Sequence, residues 1–285
     1  MSLTHHGIME VNPPPQAFFL PAAPGQRFCM YHPTALKRVG SDCILHIHAF
    51  AEEMNKGRCS AGLLARRFAE NGLNVLQIDL LGCGDSSGDF AEADWNIWKA
   101  DLIAAVTFLK EKHNGKLHLW ADRLGSLLAA ELIAVEKIGF DQVLLCQPVF
   151  DGNQFVHQFK RSLLARAILN KESNSPTLPT EAHLTEQKSI EIAGYDISHA
   201  LLNAISEINI SDWNLPATQI QWIEMMAQSG QVLSPSRQRI FNHWQQQGNQ
   251  VRLHIVNGSP CWQSPEGTVD MNWIERCASA LKGTA

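Results

Sequence analysis

The sequence predicts an α/β protein, a mostly parallel sheet flanked by helices, and three observations carry that prediction. Short apolar runs of strand length alternate with amphipathic helical stretches along most of the chain. The helical stretches between the runs are long enough to be right-handed crossovers joining parallel strands. The chain has 285 residues, of which 45% are hydrophobic and 18% charged, enough to bury a large core.

Each element follows in order. Phe18 to Leu20 and Arg27 to Tyr31, separated by Pro-Ala-Ala-Pro-Gly, predict an opening hairpin. Cys43 to His48 reads as a buried strand, and Ala61 to Asn71 as a helix with Leu63, Leu64 and Phe68 on one side. Gly72 introduces a strand from Asn74 to Asp79. Trp95 to Lys112 is an amphipathic helix that Asp94 is suited to cap. A strand at Lys116 to Ala121, a helix at Leu124 to Ile138 and a strand at Gln142 to Cys146 complete the first half.

The alternation stops between Phe150 and about Leu215. Asn153 to Leu169 and Ser198 to Ile208 read as helices, with a polar, Pro-containing loop at Ser173 to Pro179. An insertion of this size in an open sheet is expected over the carboxyl ends of the strands, as a cap. The rhythm resumes with a strand at Thr218 to Ile223, a helix at Pro235 to Gln247, a strand at Gln250 to Val256 and a terminal helix from about Pro265 to Leu281. The expected division is a tail over 1–15, a core of eight strands over 16–150 and 216–282, and a helical cap over 151–215.

Composition narrows the function. A net charge of −5 with no cluster of Lys and Arg argues against nucleic acid and anionic membrane as partners. The 7 cysteines show no CxxC pair and no metal-ligand spacing, so neither a metal nor a cofactor is expected. No basic region leads into an apolar run near the N-terminus, and the stretch from Leu124 to Val135 is too short to cross a bilayer. These features read as a cytoplasmic protein without a transmembrane segment.

Chemistry in such sheets collects at the carboxyl ends of strands. The junction Leu119-Trp-Ala-Asp-Arg-Leu-Gly-Ser126 is a strand turning sharply into an apolar helix. It aligns with the nucleophile elbow Gly-x-Ser-x-Gly of the α/β-hydrolase fold, reading Ala121-Asp122-Arg123-Leu124-Gly125. Arg123 stands where the nucleophile belongs, and a guanidinium does not deprotonate to attack a carbonyl. Asp122 as nucleophile would put Trp120 and Leu124 where small residues are needed, and Ser126 lies a turn into the helix. The triad acid would follow the strand at Thr218 to Ile223, where Glu224 lies. The histidine would lie in Asn257 to Pro265, which contains none; His254 and His243 fall elsewhere. Two independent members of the Ser-His-Asp apparatus are therefore missing.

The run His46-Ile-His-Ala-Phe-Ala-Glu-Glu-Met-Asn-Lys56 resembles the oxyanion-loop segment of the α/β hydrolases that accompany exosortase A, in its type-2 form, which also tends to carry Arg at the elbow. Asp79-Leu-Leu-Gly-Cys-Gly-Asp-Ser-Ser-Gly-Asp89 is similar to a loop common to many α/β hydrolases. The resemblance extends over about residues 16 to 280 and is weakest across the insertion. It implies a protein named for its fold, in bacteria with PEP-CTERM sorting and exopolysaccharide systems, with a protein partner from that machinery among the expectations.

The candidate site residues follow from these positions. Arg123, at a helix N-terminus, suits a carboxylate or phosphate ligand, or pairs internally with Glu52 or Glu53. Glu52, Glu53 and Asp122 are the candidates to activate water. His48, Ala49, Phe50 and Leu124 would frame an oxyanion hole through their backbone, with Asn55, Lys56, Cys83 and Trp262 lining the ligand space. Cys83 and Cys261 read as packed residues for want of an activating base, and Trp262 as filling the space a histidine left. Two functions stay open: an ester or acyl hydrolase with an altered apparatus, and an inactive homologue that binds an anionic or acyl ligand or a protein.

Overall fold

In the computed structural model the described residues are 12–35, 41–169, 189–192, 194–211, 213, 215, 218–228, 230–259, 262 and 268–281, with the side chains of 162–169 and of 192 excluded. Residues 1–11 of the tail, the loop at Ser173 to Pro179, Cys261 and the expected start of the terminal helix at Pro265 lie outside them.

The core is the expected α/β-hydrolase fold. Strands β1 (Gln16–Pro21) and β2 (Gln26–His32) form the antiparallel hairpin, and β2 also runs antiparallel to β4 (Asn74–Ile78). The strands β4, β3 (Cys43–Ile47), β5 (Leu117–Asp122), β6 (Gln142–Cys146), β9 (Gln219–Met226) and β10 (Gln250–Asn257) are all parallel. The eight-stranded order is β1-β2-β4-β3-β5-β6-β9-β10. Strands β3, β5 and β6 are buried along their whole length, as helices on both faces require. The outer strands β1 and β10 are half exposed, with Gln16, Gln250 and Arg252 facing water at the unpaired edges.

Helices α1 (Glu52–Glu70) and α7 (Met271–Ala280) cover one face, where Leu64, Phe68, Trp120 and Trp273 form a core. Helices α2 (Trp95–Lys112) and α3 (Gly125–Ala134) cover the other. Asp94 caps α2 as expected, accepting from the N–H groups of Asn96 and Ile97. On that side Arg27 of β2 and Asp101 of α2 make a fully buried ion pair at 2.6 Å. Asp101 also accepts from the Leu81 N–H at 3.0 Å, which fixes the loop after β4. Burial raises the Asp101 pKa, and Arg27 pulls it back.

Three boundaries differ from the sequence expectation in ways that matter. Helix α1 begins nine residues early, so Glu52, Glu53, Asn55 and Lys56 occupy its first turns instead of a loop. Its N-cap is Ala51, at φ 49° with no side-chain cap, so the usual starting signal is absent, and the two acids stabilise the helix end instead. Strand β9 continues to Met226, which puts Glu224 inside the strand. Helix α3 stops at Ala134, four residues short of the expected Ile138.

The insertion contains the two expected helices, α4 (Gly152–Leu169) and α5 (His199–Ser206), and an unexpected antiparallel hairpin, β7 (Ser189–Ile192) with β8 (Tyr195–Ser198). It packs against the start of α1 and the loop beyond β4: Tyr195 meets the Phe90 ring at 5.2 Å, and its hydroxyl accepts from Asn55 Nδ2 at 2.5 Å. Helix α6 (Pro235–Gln246) flanks β9 and β10.

Candidate functional site

The elbow keeps its shape although its residue has changed. Arg123 sits in the left-handed region at φ 52°, which costs a non-glycine residue roughly 1–2 kcal/mol. Neighbouring bonds hold it there. Its N–H donates to the Cys146 carbonyl at 3.0 Å, and its carbonyl accepts from the Ser126 and Val149 N–H groups at 3.1 and 3.3 Å. Gly125 is the other requirement. A Cβ there would lie 2.8 Å from the Ile47 carbonyl oxygen and 3.0 Å from that of His48, so only glycine lets α3 pass this close to the end of β3. Ser126 faces inward, its hydroxyl between the carbonyls of Arg123 and Val149 at 2.7 and 2.6 Å, and it presents no nucleophile.

The guanidinium of Arg123 is engaged. Nε and Nη2 both donate to Glu53 Oε1 at 3.1 Å, and Nη1 donates to the Gln147 carbonyl at 3.2 Å. Its Cζ lies 5.7 Å from the centre of the buried Trp262 ring. The pair is not sealed off: 17% of the Arg123 side chain and 23% of the Glu53 side chain remain accessible. Each residue lines a different cavity. Arg123 borders a front cavity of about 330 Å³ beneath α4, together with Arg237, Ser211, Ser234 and Ser236. Glu53 borders a back cavity of about 260 Å³ between α1 and the sheet, together with His32, His46, Asp122 and Trp262.

The remaining candidates divide by environment. Glu52 pairs with Lys56 one turn along α1, at 3.1 Å, away from Arg123. Asp122 is buried, accepting from His46 Nε2 at 3.0 Å and from Trp120 Nε1 at 2.8 Å. The His48 ring is a brace: Nδ1 donates to the Ala49 carbonyl at 2.7 Å, and Nε2 accepts from the Leu80 N–H at 3.4 Å. Burial holds its pKa below the ordinary value. Ala49 and Leu124 are buried at the junction of the two loops. Phe50 belongs to an aromatic cluster with Phe90, Trp98, Phe155 and Phe159. Asn55 and Cys83 line a separate pocket under Tyr195, and burial pushes the Cys83 thiol well above its ordinary pKa.

Glu224, the position where the triad acid was sought, is committed elsewhere. Its Oε2 accepts from Trp222 Nε1 at 2.8 Å and from Arg237 Nη1 at 2.9 Å. Burial raises the Glu224 pKa, with Arg237 opposing, and Arg237 donates also to the Pro148 carbonyl at 3.1 Å. Burial lowers the Arg237 pKa, Glu224 raises it, and the nearby charge of Arg123 lowers it further.

Sequence reasoning missed Arg237 and the set His32, Gln77 and His46. Arg237 starts an ordinary polar helix and gives no local signal. The others had one: His46, Gln77 and His32 are polar residues at or near the ends of strands whose neighbouring residues are apolar and buried. Among the described residues no group of His, Cys, Asp and Glu could hold a metal, and no helix is long and apolar enough to cross a membrane.

Comparison with known proteins agrees with the fold. The family described as serine aminopeptidase, S33, matches residues 42–198. Est1E from Butyrivibrio proteoclasticus, solved with ferulic acid bound, is similar at a TM-score of 0.66 with 12% identity, over 93% of this chain and 96% of that one. The Pyrococcus furiosus esterase Pf2001 is similar at 0.62 with 14% identity, over 96% and 98%. The proline iminopeptidase of Mycobacterium smegmatis is similar at 0.61 with 13% identity, over 93% and 97%. Among curated proteins none matches the sequence.

Proposed function

Because the chain belongs to the serine aminopeptidase S33 family of α/β hydrolases, we propose that it is a binding descendant of that family, holding a small anionic, acyl-bearing ligand in the front cavity. The observation that carries this reading is the pair of guanidiniums on that cavity. Arg123 and Arg237 lie close enough for one charge to depress the other's pKa, and an anion between them relieves that repulsion. Each guanidinium makes hydrogen bonds through only part of its five N–H donors, so both retain donors for a ligand. With Arg at the elbow and no histidine after His254, the residues for serine-type acyl transfer are missing from the sequence. The resemblance of residues 46–56 extends the proposal to the cytoplasmic side of an exosortase-linked sorting and exopolysaccharide system, where a protein partner would be found.

Calorimetric titration with hexanoate and with inorganic phosphate tests the reading. Saturable binding of either, weakened at least about tenfold in Arg123→Ala, is expected. Failure of both to bind would overturn it.

One observation favours a second reading. Glu53 Oε1 is held by Arg123 while Oε2 is buried without a hydrogen-bond partner, which leaves one carboxylate oxygen uncommitted, as a general base requires. Turnover in an ester and thioester panel that disappears in Glu53→Gln would establish a hydrolase and displace the binding-only reading.

A further inference from the structure

The back cavity lies on the α1 face of the sheet, separated from the front cavity by the Arg123–Glu53 pair. Its floor is a continuous chain of hydrogen bonds across four strands, β2, β4, β3 and β5. His32 Nε2 meets Gln77 Oε1 at 2.9 Å, Gln77 Nε2 meets His46 Nδ1 at 3.3 Å, and His46 Nε2 meets Asp122 Oδ2 at 3.0 Å. The His46 ring stacks on Trp120 at 3.8 Å, and Trp120 donates to the other Asp122 oxygen.

The direction of every bond in this chain follows from its end. Trp120 can only donate, and ionised Asp122 can only accept, so His46 carries its proton on Nε2. His46 Nδ1 then accepts from the Gln77 amide, which turns Oε1 towards His32 and fixes the His32 proton on Nε2. That leaves the Nδ1 lone pair of His32 without a donor. The residue is 4% exposed, and Nδ1 has no hydrogen-bond partner among the described residues. Glu53 Oε2, on the same cavity, is a second buried acceptor in the same condition.

Two unfilled acceptors, in a lining that also brings Met30, Met54, Trp262 and Trp273 together with charged residues to the cavity, define what would fit. The acids and guanidiniums at the cavity offset one another once Arg123 is counted: Glu53 pairs with Arg123 and Asp79 with Arg58, and Asp122 and Arg66 add one charge of each sign. The volume, about 260 Å³, is just below the range of roughly 300–1,000 Å³ usual for drug-sized ligands.

We propose that the back cavity is a second binding site, for a small neutral molecule with an apolar body and hydroxyl donors, one hydroxyl donating to His32 Nδ1 and another to Glu53 Oε2. It is separate from the anion site and does not depend on it.

The test uses the full chain with trans-cyclohexane-1,2-diol, -1,3-diol and -1,4-diol, which space two hydroxyls differently on one apolar ring. Cyclohexanol and cyclohexanecarboxylate serve as controls, and affinities are read by ligand-observed NMR titration. At least one diol is expected to bind about tenfold or more tighter than cyclohexanol, because a polar site rejects analogues that leave its groups unpaired. Saturation with that diol is expected to move the ¹⁵N resonance of His32 Nδ1 in labelled wild-type protein. His32→Phe should reduce the diol to the affinity of cyclohexanol and leave hexanoate binding unchanged. Three diols no better than cyclohexanol, a carboxylate that outbinds them, or an unmoved His32 resonance would each overturn the proposal. The wild-type resonance decides the matter if His32→Phe does not fold.

Discussion

Arg123 puts both Nε and Nη2 on a single oxygen of Glu53, and the second oxygen of that carboxylate stays buried without a hydrogen bond. This is an asymmetric arrangement. The side-on, two-oxygen pairing that arginine usually favours would satisfy both carboxylate oxygens. Here one oxygen ties the elbow to α1, and the other is left unpaired on a residue that lines the back cavity.

The first prediction concerns that pair. Both side chains are partly accessible, so solvent screens their attraction. A double-mutant cycle of Arg123→Ala and Glu53→Gln, followed by urea denaturation, is expected to give a coupling of about 1 kcal/mol. Independent, additive effects would mean that the pair is absent in solution.

Gly125→Ala tests whether the close approach of α3 and β3 holds the elbow. The new methyl would meet the backbone carbonyls of Ile47 and His48, which cannot swing aside like the end of a side chain. A loss of about 1–3 kcal/mol is expected, with the fold retained. An unchanged denaturation midpoint would show that the two elements can part freely.

Histidine titration gives a third. Burial is the leading cause holding His32, His48, His113, His118 and His254 below the ordinary value of 6.5. A histidine with a depressed folded pKa takes up its proton first in the unfolded chain. Its contribution to stability is therefore complete above pH 6.5 and is lost as the pH falls through the folded value. The Cε1 proton shifts of these residues should titrate with midpoints below 6.5, and midpoints above it would contradict their burial.

Thiol chemistry supplies the fourth. Among the described cysteines only Cys59 is exposed. Burial pushes Cys29 and Cys43 up to about 12, and Cys83 and Cys146 are raised as well. Iodoacetamide on the native protein at pH 8, read by peptide mass spectrometry, should modify Cys59 and leave Cys83 untouched. Fast alkylation of Cys83 would reopen it as a nucleophile.

The sequence made the sheet legible because its central strands are buried on both faces and read as unbroken apolar runs, as at Val143 to Cys146. The elbow was legible for a similar reason: Gly125 and the strand-to-helix switch are local. The start of α1 was not, because Ala51 carries no cap and the acids at 52 and 53 read equally well as loop residues. The β7–β8 hairpin falls between the expected loop at Ser173 to Pro179 and the expected helix from Ser198, in a stretch to which the sequence assigns no element. Which acid would meet Arg123 was left between Glu52 and Glu53; in the fold Glu53 does, while Glu52 turns along the helix to Lys56. The relay from His32 to Asp122 joins residues up to 90 positions apart, and only strand order makes them neighbours.

The left-handed backbone at position 123 also bears on how such proteins diverge. It is fixed by Gly125 and by backbone hydrogen bonds with Cys146, Ser126 and Val149, none of which involves the side chain at 123. The turn therefore asks nothing of the side chain it presents, and a substitution at 123 changes what the strand end offers to a ligand with no loop to rebuild.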